Sequence, residues 1–141
     1  MKNLILTLFV CATLVSCKTQ TASTAVDAVK GIEWAQSANL NEVQKKAQEA
    51  GKPIFVDLGA EWCGYCKKMK KNVFTNDAVS NAMNSGFIPL SLDGEKGDGA
   101  ALVNKLGING FPTQLILNSN GEVIKKNTGY LDTKGLLAFL Q

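Results

Sequence analysis

The chain has 141 residues, of which 45% are hydrophobic and 19% charged, a composition typical of one globular domain and not of a disordered segment. All 15 cationic side chains are Lys and the net charge is only +3, which argues against a nucleic-acid surface built on arginine forks. The absence of His excludes imidazole metal sites, Ser-His and Cys-His nucleophile pairs, and histidine general bases.

The first residues predict an export signal. Lys2 precedes an apolar run, 4–15, that is too short to span a membrane and suits the core of a signal peptide. The run ends in Leu14-Val15-Ser16-Cys17, which resembles the lipobox of bacterial lipoproteins. That resemblance implies that 1–16 is a signal peptide and that lipid is attached to Cys17. The alternative is an ordinary secretory signal cut nearby, with Cys17 as an unmodified thiol.

Residues 17–30 predict a flexible, lipidated tether because they are rich in Thr, Ala, Ser and Gln. The folded domain is then expected to span 31–141 and to face the periplasm from a lipid anchor. Lys18 stands where an Asp would, by the same lipoprotein resemblance, favour retention at the inner membrane. The outer membrane is therefore the expected location.

The elements before the two central cysteines follow from their sequence patterns. Alternation over 31–35 predicts a short first strand, and Asn39 or Asn41 is a candidate cap for a helix over 42–50. The apolar run 53–58, which contains one carboxylate, predicts a buried strand that delivers its carboxyl end to the cysteines.

Helices and strands alternate in the rest of the chain. The predicted elements are helices over 63–73 and 76–84, a strand over 87–92, a glycine-rich loop over 93–99, a helix over 100–106, a strand over 113–117, its hairpin partner over 122–127, and a last helix capped by Asp132. The order is β-α-β-α-α-β-α-β-β-α. Strands separated by helices are expected to be parallel neighbours, and the late hairpin adds an antiparallel edge.

Cys63 and Cys66 lie between the buried strand and the next helix. A C-x-x-C pair in this setting indicates thiol–disulfide exchange more often than a metal site. The free amides and the dipole at a helix start favour a thiolate, so Cys63 is the expected nucleophile. Cys66, one turn later and more shielded, is the expected resolving thiol.

Three separated motifs resemble the thioredoxin family over residues 50–140. They are Lys52-Pro53-Ile54-Phe55-Val56-Asp57 followed by Ala60-Glu61-Trp62-Cys63-Gly64-Tyr65-Cys66-Lys67, then Gly110-Phe111-Pro112-Thr113, and Gly129. The lead-in 31–34 and the string 67–74 look closer to the periplasmic C-terminal domain of the transmembrane thiol reductase and to small secreted relatives. The resemblance implies an α/β thioredoxin fold, a central mixed sheet flanked by helices, with a redox-active Cys63–Cys66 disulfide.

Asp57 lies inside the apolar strand, six residues before Cys63. The family resemblance implies a buried acid whose pKa is raised by burial and which accepts the proton of Cys66. The alternative is a strand-end carboxylate that reaches water. One position departs from the family here, because Pro89 stands about where thioredoxin has a lysine that assists its buried acid.

The resemblance also implies a substrate surface around the cysteines. The bond before Pro112 is expected to be cis, with the backbone of Phe111 exposed to pair with a substrate chain. Trp62, Tyr65 and Thr113 are the other expected substrate contacts; the alternative for Trp62 is a simple core aromatic. Tyr65 stands where thioredoxin commonly has Pro.

These features predict a cell-envelope thiol–disulfide oxidoreductase that reduces protein disulfides through Cys63 and Cys66, without a bound cofactor or metal. The expected partners are disulfide-containing proteins, a membrane thiol that donates electrons, and the membrane itself through the lipid anchor. A monomer that binds no nucleic acid is expected. The alternatives are a disulfide isomerase or oxidase of the same fold, and a Cu(I) carrier that uses the two thiolates.

Overall fold

The computed structural model describes residues 31–141, which form a four-stranded sheet with helices on both faces. The elements in chain order are α1 (Leu40–Ala50), β1 (Ile54–Gly59), α2 (Gly64–Asn72), α3 (Asp77–Gly86), β2 (Ile88–Asp93), α4 (Gly97–Leu106), β3 (Thr113–Leu117), β4 (Val123–Thr128) and α5 (Thr133–Phe139). The predicted signal peptide, the lipid-attachment residue Cys17 and the tether lie outside the described residues.

The sheet has the order β2-β1-β3-β4. β1 pairs with β2 in parallel and with β3 in antiparallel register, and β3 pairs with β4 as an antiparallel hairpin. The predicted mixed α/β sheet is therefore confirmed. The expectation that helix-separated strands are parallel neighbours holds for β2 but is wrong for β3. Thr113 at the start of β3 pairs with Leu58, close to where Asp93 at the end of β2 pairs with Gly59. β3 therefore starts at the end of the sheet where β2 finished and runs in the opposite direction.

The alternation of side chains along β1 divides the core into two layers. Val56 and Leu58 pack with α1 and α4, in a cluster that includes Val43 and Leu102. Phe55 faces the opposite side and packs with α2, α3 and α5, in a cluster that includes Met69, Met83 and Leu136. All six residues of β1 are buried, as a strand covered on both faces requires. This buried strand is the rigid support from which the cysteine pair projects.

Two of the expected caps are present at the helix starts that frame the domain. Asn39, and not Asn41, caps α1 by accepting a hydrogen bond from the amide of Glu42 at 3.2 Å. Asp132 caps α5 by accepting from the amide of Gly135 at 2.7 Å. The first helix therefore begins two residues earlier than its apolar pattern predicts.

The predicted first strand over 31–35 is wrong, because this segment is irregular. It touches the edge strand β2 through one backbone hydrogen bond, from the amide of Ala35 to the carbonyl of Pro89 at 2.8 Å. Proline has no N–H to return the bond, so a regular ladder cannot continue along this edge.

The predicted loop over 93–99 is also wrong in extent, since α4 begins at Gly97 and not at Ala100. Gly97 has φ +50° and Gly99 lies directly against the backbone carbonyl of Asp93, where a Cβ would overlap the oxygen. From the sequence alone, glycines that serve a close approach inside a helix are indistinguishable from those of a plain glycine-rich loop. The true loop between β2 and α4 is short and tightly held.

Candidate active site

A disulfide joins Cys63 and Cys66 where β1 ends and α2 begins, with an S–S distance of 2.07 Å. Cys63 is the N-cap residue of α2, and its Sγ accepts a hydrogen bond from the amide of Cys66 at 3.1 Å. The unpaired amides and the positive dipole end of the helix therefore face Cys63, where they stabilise a thiolate when the disulfide is reduced. The two residues are 4% and 3% exposed, so the oxidised structure does not show the expected greater shielding of Cys66.

Cys66 lies on the side of the disulfide that faces the sheet. A Cβ built on Gly59 would stand 3.2 Å from Cys66 Sγ, so the last residue of β1 touches this sulfur closely. A cleft of about 540 Å³ reaches Cys66 and not Cys63; it is lined by Gly59, Ala60, Glu61, Cys66, Lys67, Lys70, Ser91, Leu92 and Asp93. Solvent therefore has a route to the sheet-facing side of the sulfur.

Asp57 lies beneath the disulfide, on the same face of β1 as Gly59, because the two are two residues apart along a strand. It is 2% exposed, and its Oδ1 has no hydrogen-bond partner among residues 31–141. Burial raises the pKa of Asp57 from 3.8 to about 6, opposed in part by the charge of Lys70 and by the Gln114 side chain. A carboxyl group with this pKa can accept and return a proton near neutral pH.

The neighbours of Asp57 in the sheet are Ser91 on β2 and Gln114 on β3. Ser91 is exposed, and together with Lys70 it lines both the cleft at Cys66 and a second cleft of about 550 Å³ beside Trp34. Pro89 pairs with Phe55, so the lysine that the thioredoxin pattern places on this strand is absent here. Lys70 of α2 supplies the positive charge near Asp57 instead.

The loop before β3 carries the cis peptide bond Phe111–Pro112. The antiparallel register of Thr113 with Leu58, continued by one residue, places Pro112 beside Gly59 at the edge that holds the cysteines. The carbonyl of Pro112 accepts a hydrogen bond from the amide of Gly129 at 2.8 Å, which fixes the loop against the start of the last connection.

Thr113 does not have the position expected of a substrate contact. Its side chain is fully buried, and its hydroxyl donates to the carbonyl of Gly110 at 2.8 Å and lies 3.2 Å from the hydroxyl of Thr128. These bonds hold the turn that precedes β3, so Thr113 stabilises the cis-proline loop by buried hydrogen bonds.

One side of the disulfide has an aromatic wall formed by Trp62 and Phe111, whose ring centroids lie 6.1 Å apart. Trp62 is 68% exposed, and its Nε1 donates a hydrogen bond to Glu95 Oε1 at 2.9 Å. Gly94 lies so close to the Phe111 ring that a Cβ there would overlap it. The short loop after β2 thus holds both rings of this wall.

A second aromatic wall consists of Tyr65 and Tyr130, with ring centroids 6.0 Å apart. Tyr130 follows β4, whereas Glu95, which holds Trp62, follows β2, and these two strands are the opposite edges of the sheet on either side of β1. Tyr65 is 62% exposed. Lys68 Nζ lies 4.9 Å from the centroid of the Tyr130 ring, in cation–π geometry. The disulfide therefore lies between two pairs of aromatic side chains.

The structure brings together Cys63, Cys66, Asp57, Trp62 and Phe111 from the sequence prediction. It adds four residues that the sequence analysis did not select, namely Lys70, Gln114, Glu95 and Tyr130. Two of them could have been noticed in the sequence, because Gln114 interrupts an apolar strand and Lys70 lies two helical turns after Cys63. Glu95 and Tyr130 could not, since only the folded loops bring them to the cysteines.

No helix within residues 31–141 is both long and apolar enough to cross a membrane. In the same part of the chain, no group of three or more Cys, Asp or Glu side chains is arranged to hold a metal ion.

A family model described as a thioredoxin-like domain matches residues 40–141. The chain is 34% identical over 123 residues to the thiol:disulfide interchange protein DsbD of Yersinia pestis, and 34% identical over 119 residues to that of Vibrio cholerae. The first alignment covers 84% of this chain but 21% of the relative. The chain thus spans about a fifth of the length of the curated relatives it matches.

Solved structures match over most of the described residues. A candidate disulphide-isomerase from Bacteroides thetaiotaomicron superposes with a TM-score of 0.69 at 38% identity, over 77% of this chain and 88% of that one. A thioredoxin from Thermus thermophilus superposes with a TM-score of 0.68 at 23% identity, over 78% and 85% of the two chains, which supports the fold alone.

Proposed function

Because the chain belongs to the thioredoxin-like family, we propose that it is a thiol–disulfide oxidoreductase that reduces protein disulfides through Cys63 and Cys66. The observation that carries this proposal is the Cys63–Cys66 disulfide at the start of α2, next to the cis-proline loop and above a buried carboxyl group. The similarity to thiol:disulfide interchange proteins supports the same reaction class.

The proposed reaction transfers two electrons from the reduced pair to a substrate disulfide. The Cys63 thiolate attacks one substrate sulfur, which forms a mixed disulfide and releases the other substrate sulfur as a thiolate. Cys66 then loses its proton to Asp57 and attacks Cys63 Sγ. The Cys63–Cys66 disulfide forms, and the second substrate thiolate leaves. The substrate disulfide is reduced and the protein dithiol is oxidised.

The surroundings of the pair suit these steps. Asp57 acts as the proton acceptor because its pKa of about 6 leaves it ionised at neutral pH, under the sulfur that must lose a proton. The backbone of Phe111 before Pro112 offers main-chain groups to an extended substrate segment. Trp62 and Tyr65 present exposed rings on either side of the disulfide for apolar contact with that segment.

The proposed location is the cell envelope, on the periplasmic side. Residues 1–16 act as the signal peptide, Cys17 carries the lipid, and 17–30 tether the domain to a membrane, for which the outer membrane is the favoured choice. A dithiol in an oxidising compartment must be re-reduced after each turnover, so the protein needs a membrane thiol as its electron donor. It acts as a monomer without a resident cofactor.

Reduction of insulin disulfides tests the proposed activity. With dithiothreitol as the donor, the wild-type domain should accelerate precipitation of the insulin chains, whereas Cys63→Ser and Cys66→Ser should not. Lys46→Ser, on α1 at the far face of the sheet, is the matched control and should retain the rate. Equal rates for the wild type and the Cys63→Ser variant would refute the proposal.

Disulfide isomerisation is a second candidate, favoured by the 38% identity to the candidate disulphide-isomerase. An isomerase needs Cys63 to attack and leave without net electron transfer, so Cys66 would serve only to release trapped substrates. Refolding of a substrate protein with scrambled disulfides separates the two functions. Catalytic amounts of an isomerase restore the activity of the substrate protein, whereas a reductase only opens its disulfide bonds.

A further inference from the structure

Three observations around the disulfide are not used by the proposed reaction: an exposed lysine on the face of a tyrosine, the connection of that tyrosine to the cis-proline loop, and an uneven distribution of charge between the two aromatic walls. Each concerns the surface that a substrate must cover to reach Cys63. Together they bear on which substrates fit.

The wall formed by Tyr65 and Tyr130 is held in place by the fold. Tyr130 packs against the core layer that contains Met69 and Leu136, and the preceding Gly129 donates its amide to the carbonyl of Pro112 at 2.8 Å. The Tyr130 ring therefore keeps a fixed position beside the cis-proline loop. A chain that pairs with the Phe111 backbone must pass next to this ring.

The same wall carries a positive charge that pairs with no carboxylate of the part of the chain that the structure describes. Lys68 is exposed, its Nζ lies 4.9 Å from the centre of the Tyr130 ring, and it forms no ion pair with any acid of residues 31–141. The acid nearest to Tyr130 along the chain, Asp132, uses its carboxylate to cap α5. Because the ammonium rests on the ring, its position is restricted before a substrate arrives.

The charges at the opposite wall are mixed. Asp93, Glu61 and Glu95 lie near Lys96, which within residues 31–141 forms an ion pair only with Asp93, at 3.0 Å. Lys67 and Lys70 line the same cleft as Glu61 and Asp93, so acids and lysines balance on that side. An acidic substrate residue is therefore attracted to Lys68 on the Tyr130 side of the disulfide, without a matching attraction on the Trp62 side.

We propose that Lys68 and Tyr130 form a subsite that selects substrate segments with an acidic residue near the reacting cysteine, on one side of it only. The occupant is an extended protein segment that carries one cysteine of a disulfide. Its apolar side chains lie against the aromatic walls, and its carboxylate lies at Lys68. The inference rests on the proposed reductase function and adds to it the chemical class of the substrate.

Synthetic peptides test this subsite directly. Each has a single cysteine joined by a disulfide to 2-mercaptoethanol, a neutral leaving group, and a Glu, Gln or Lys placed two residues before or two residues after the cysteine. Pre-reduced protein is mixed with each peptide in a single turnover, and the product thiols are separated and quantified. We expect the Glu peptide to react about three- to fivefold faster than the Lys peptide, for one of the two placements only and less so at high salt.

Charge reversal at Lys68 should invert this preference. Lys68→Glu should favour the Lys peptide over the Glu peptide, whereas Lys68→Arg, which keeps the charge, should retain the wild-type order. Lys46→Glu on α1 makes the same change of net charge on the far face of the sheet and should also retain the wild-type order. The rate ratio between peptides is the readout, because it is insensitive to a general loss of active protein.

The outcomes separate the two proposals. Reduction of all peptides at one rate, whatever their charge and placement, would overturn the subsite and leave the reductase function standing. An equal change of ratio in Lys68→Glu and Lys46→Glu would overturn it as well, since only net charge would then matter. Failure to reduce any peptide, with Cys63 confirmed as a free thiol, would refute the reductase function and the subsite with it.

Discussion

The burial of Asp57 has two opposing effects, because it raises the pKa as the proposed role of proton acceptor requires and also makes the negative charge costly to the folded state. Asp57 is 2% exposed, and one of its oxygens lacks a hydrogen-bond partner among the described residues. A buried carboxylate without full hydrogen bonding is destabilising unless it stays protonated. We therefore interpret Asp57 as a residue kept for proton transfer at the expense of stability.

Asp57→Asn should make the oxidised protein more stable at neutral pH, by about 3 kcal/mol at most. The unfolded carboxyl ionises above its ordinary pKa of 3.8 but the folded one only near 6, so the wild type loses stability as the pH rises through this window. Urea unfolding of both proteins across that range is the measurement, and the difference should disappear at the acid end. A difference that stays constant with pH would show that ionisation is not its cause.

Lys70→Met should raise the pKa of Asp57 above its value of about 6, because the lysine charge opposes the effect of burial. The resolving step would then need a higher pH to reach the same rate. An NMR titration of the Asp57 carboxyl group measures the change. Lys71→Met, an exposed lysine on the same helix, should leave the titration unchanged, and an equal shift in both variants would contradict a specific role for Lys70.

At the residue scale, the reacting residues could be predicted from the sequence, whereas the residues that contact them could not. Cys63 and Cys66 were selected because a C-x-x-C spacing at a helix start has a physical meaning that a single chain displays. Lys70 and Tyr130 could not be selected in this way, because their roles depend on which helix face and which loop meet at the cysteines. Thr113 was interpreted as a substrate contact, and its burial shows that adjacency in sequence to Pro112 does not decide exposure.

At the scale of elements, the loop after β2 connects the fold to the site. Asp93 ends β2, Gly94 supports the Phe111 ring, and Glu95 holds Trp62 by a hydrogen bond of 2.9 Å. Gly99 in the first turns of α4 allows this loop to lie against the helix. A substitution at Gly99 should therefore disturb Trp62 and Phe111 through the loop, although Gly99 does not contact them.

Gly99→Ala should destabilise the protein by about 1–3 kcal/mol, since its Cβ would overlap the Asp93 carbonyl and force the backbone to move. The hydrogen bond from Trp62 to Glu95 should weaken, which a change in tryptophan fluorescence would report. Gly86→Ala in α3 is the control, because a Cβ there meets nothing within 4 Å and should cost little. Equal losses of stability in the two variants would contradict the close approach at Gly99.

Elements with a strong pattern were predicted well, and elements defined by their neighbours were not. β1 was evident because a short apolar run between a proline and a glycine reads as a buried strand. The segment 31–35 also alternates, but pairing there fails at Pro89, on a strand distant in sequence. The direction of β3 was missed for a similar reason, because a helix between strands does not by itself state to which edge the chain returns.

At the scale of the whole molecule, the sheet separates the helices α1 and α4, which only pack against it, from the helix that carries the disulfide. α1 and α4 cover one face, and the disulfide projects from the carboxyl end of the central strand above the other. The two aromatic walls and the cis-proline loop surround that end. On the proposed tether of residues 17–30, a domain of this form would approach protein substrates while attached to a membrane.

The proposed membrane attachment has its own prediction. In a bacterial host that processes lipoproteins, the full chain should partition into detergent and incorporate labelled palmitate, whereas Cys17→Ser should do neither. Cys63→Ser is the matched control, because it removes a thiol outside the lipobox and should partition like the wild type. Detergent partition of the Cys17→Ser variant at the wild-type level would contradict the lipid anchor.

The central claim is that Cys63 attacks the substrate and Cys66 resolves the intermediate. Trapping of the mixed disulfide tests it most directly: reduced Cys66→Ser and Cys63→Ser variants are each mixed with a disulfide-containing protein, and the covalent adducts are quantified by mass spectrometry. The account predicts that Cys66→Ser accumulates an adduct through Cys63 and that Cys63→Ser accumulates little. An adduct that forms mainly through Cys66 in the Cys63→Ser variant would contradict it.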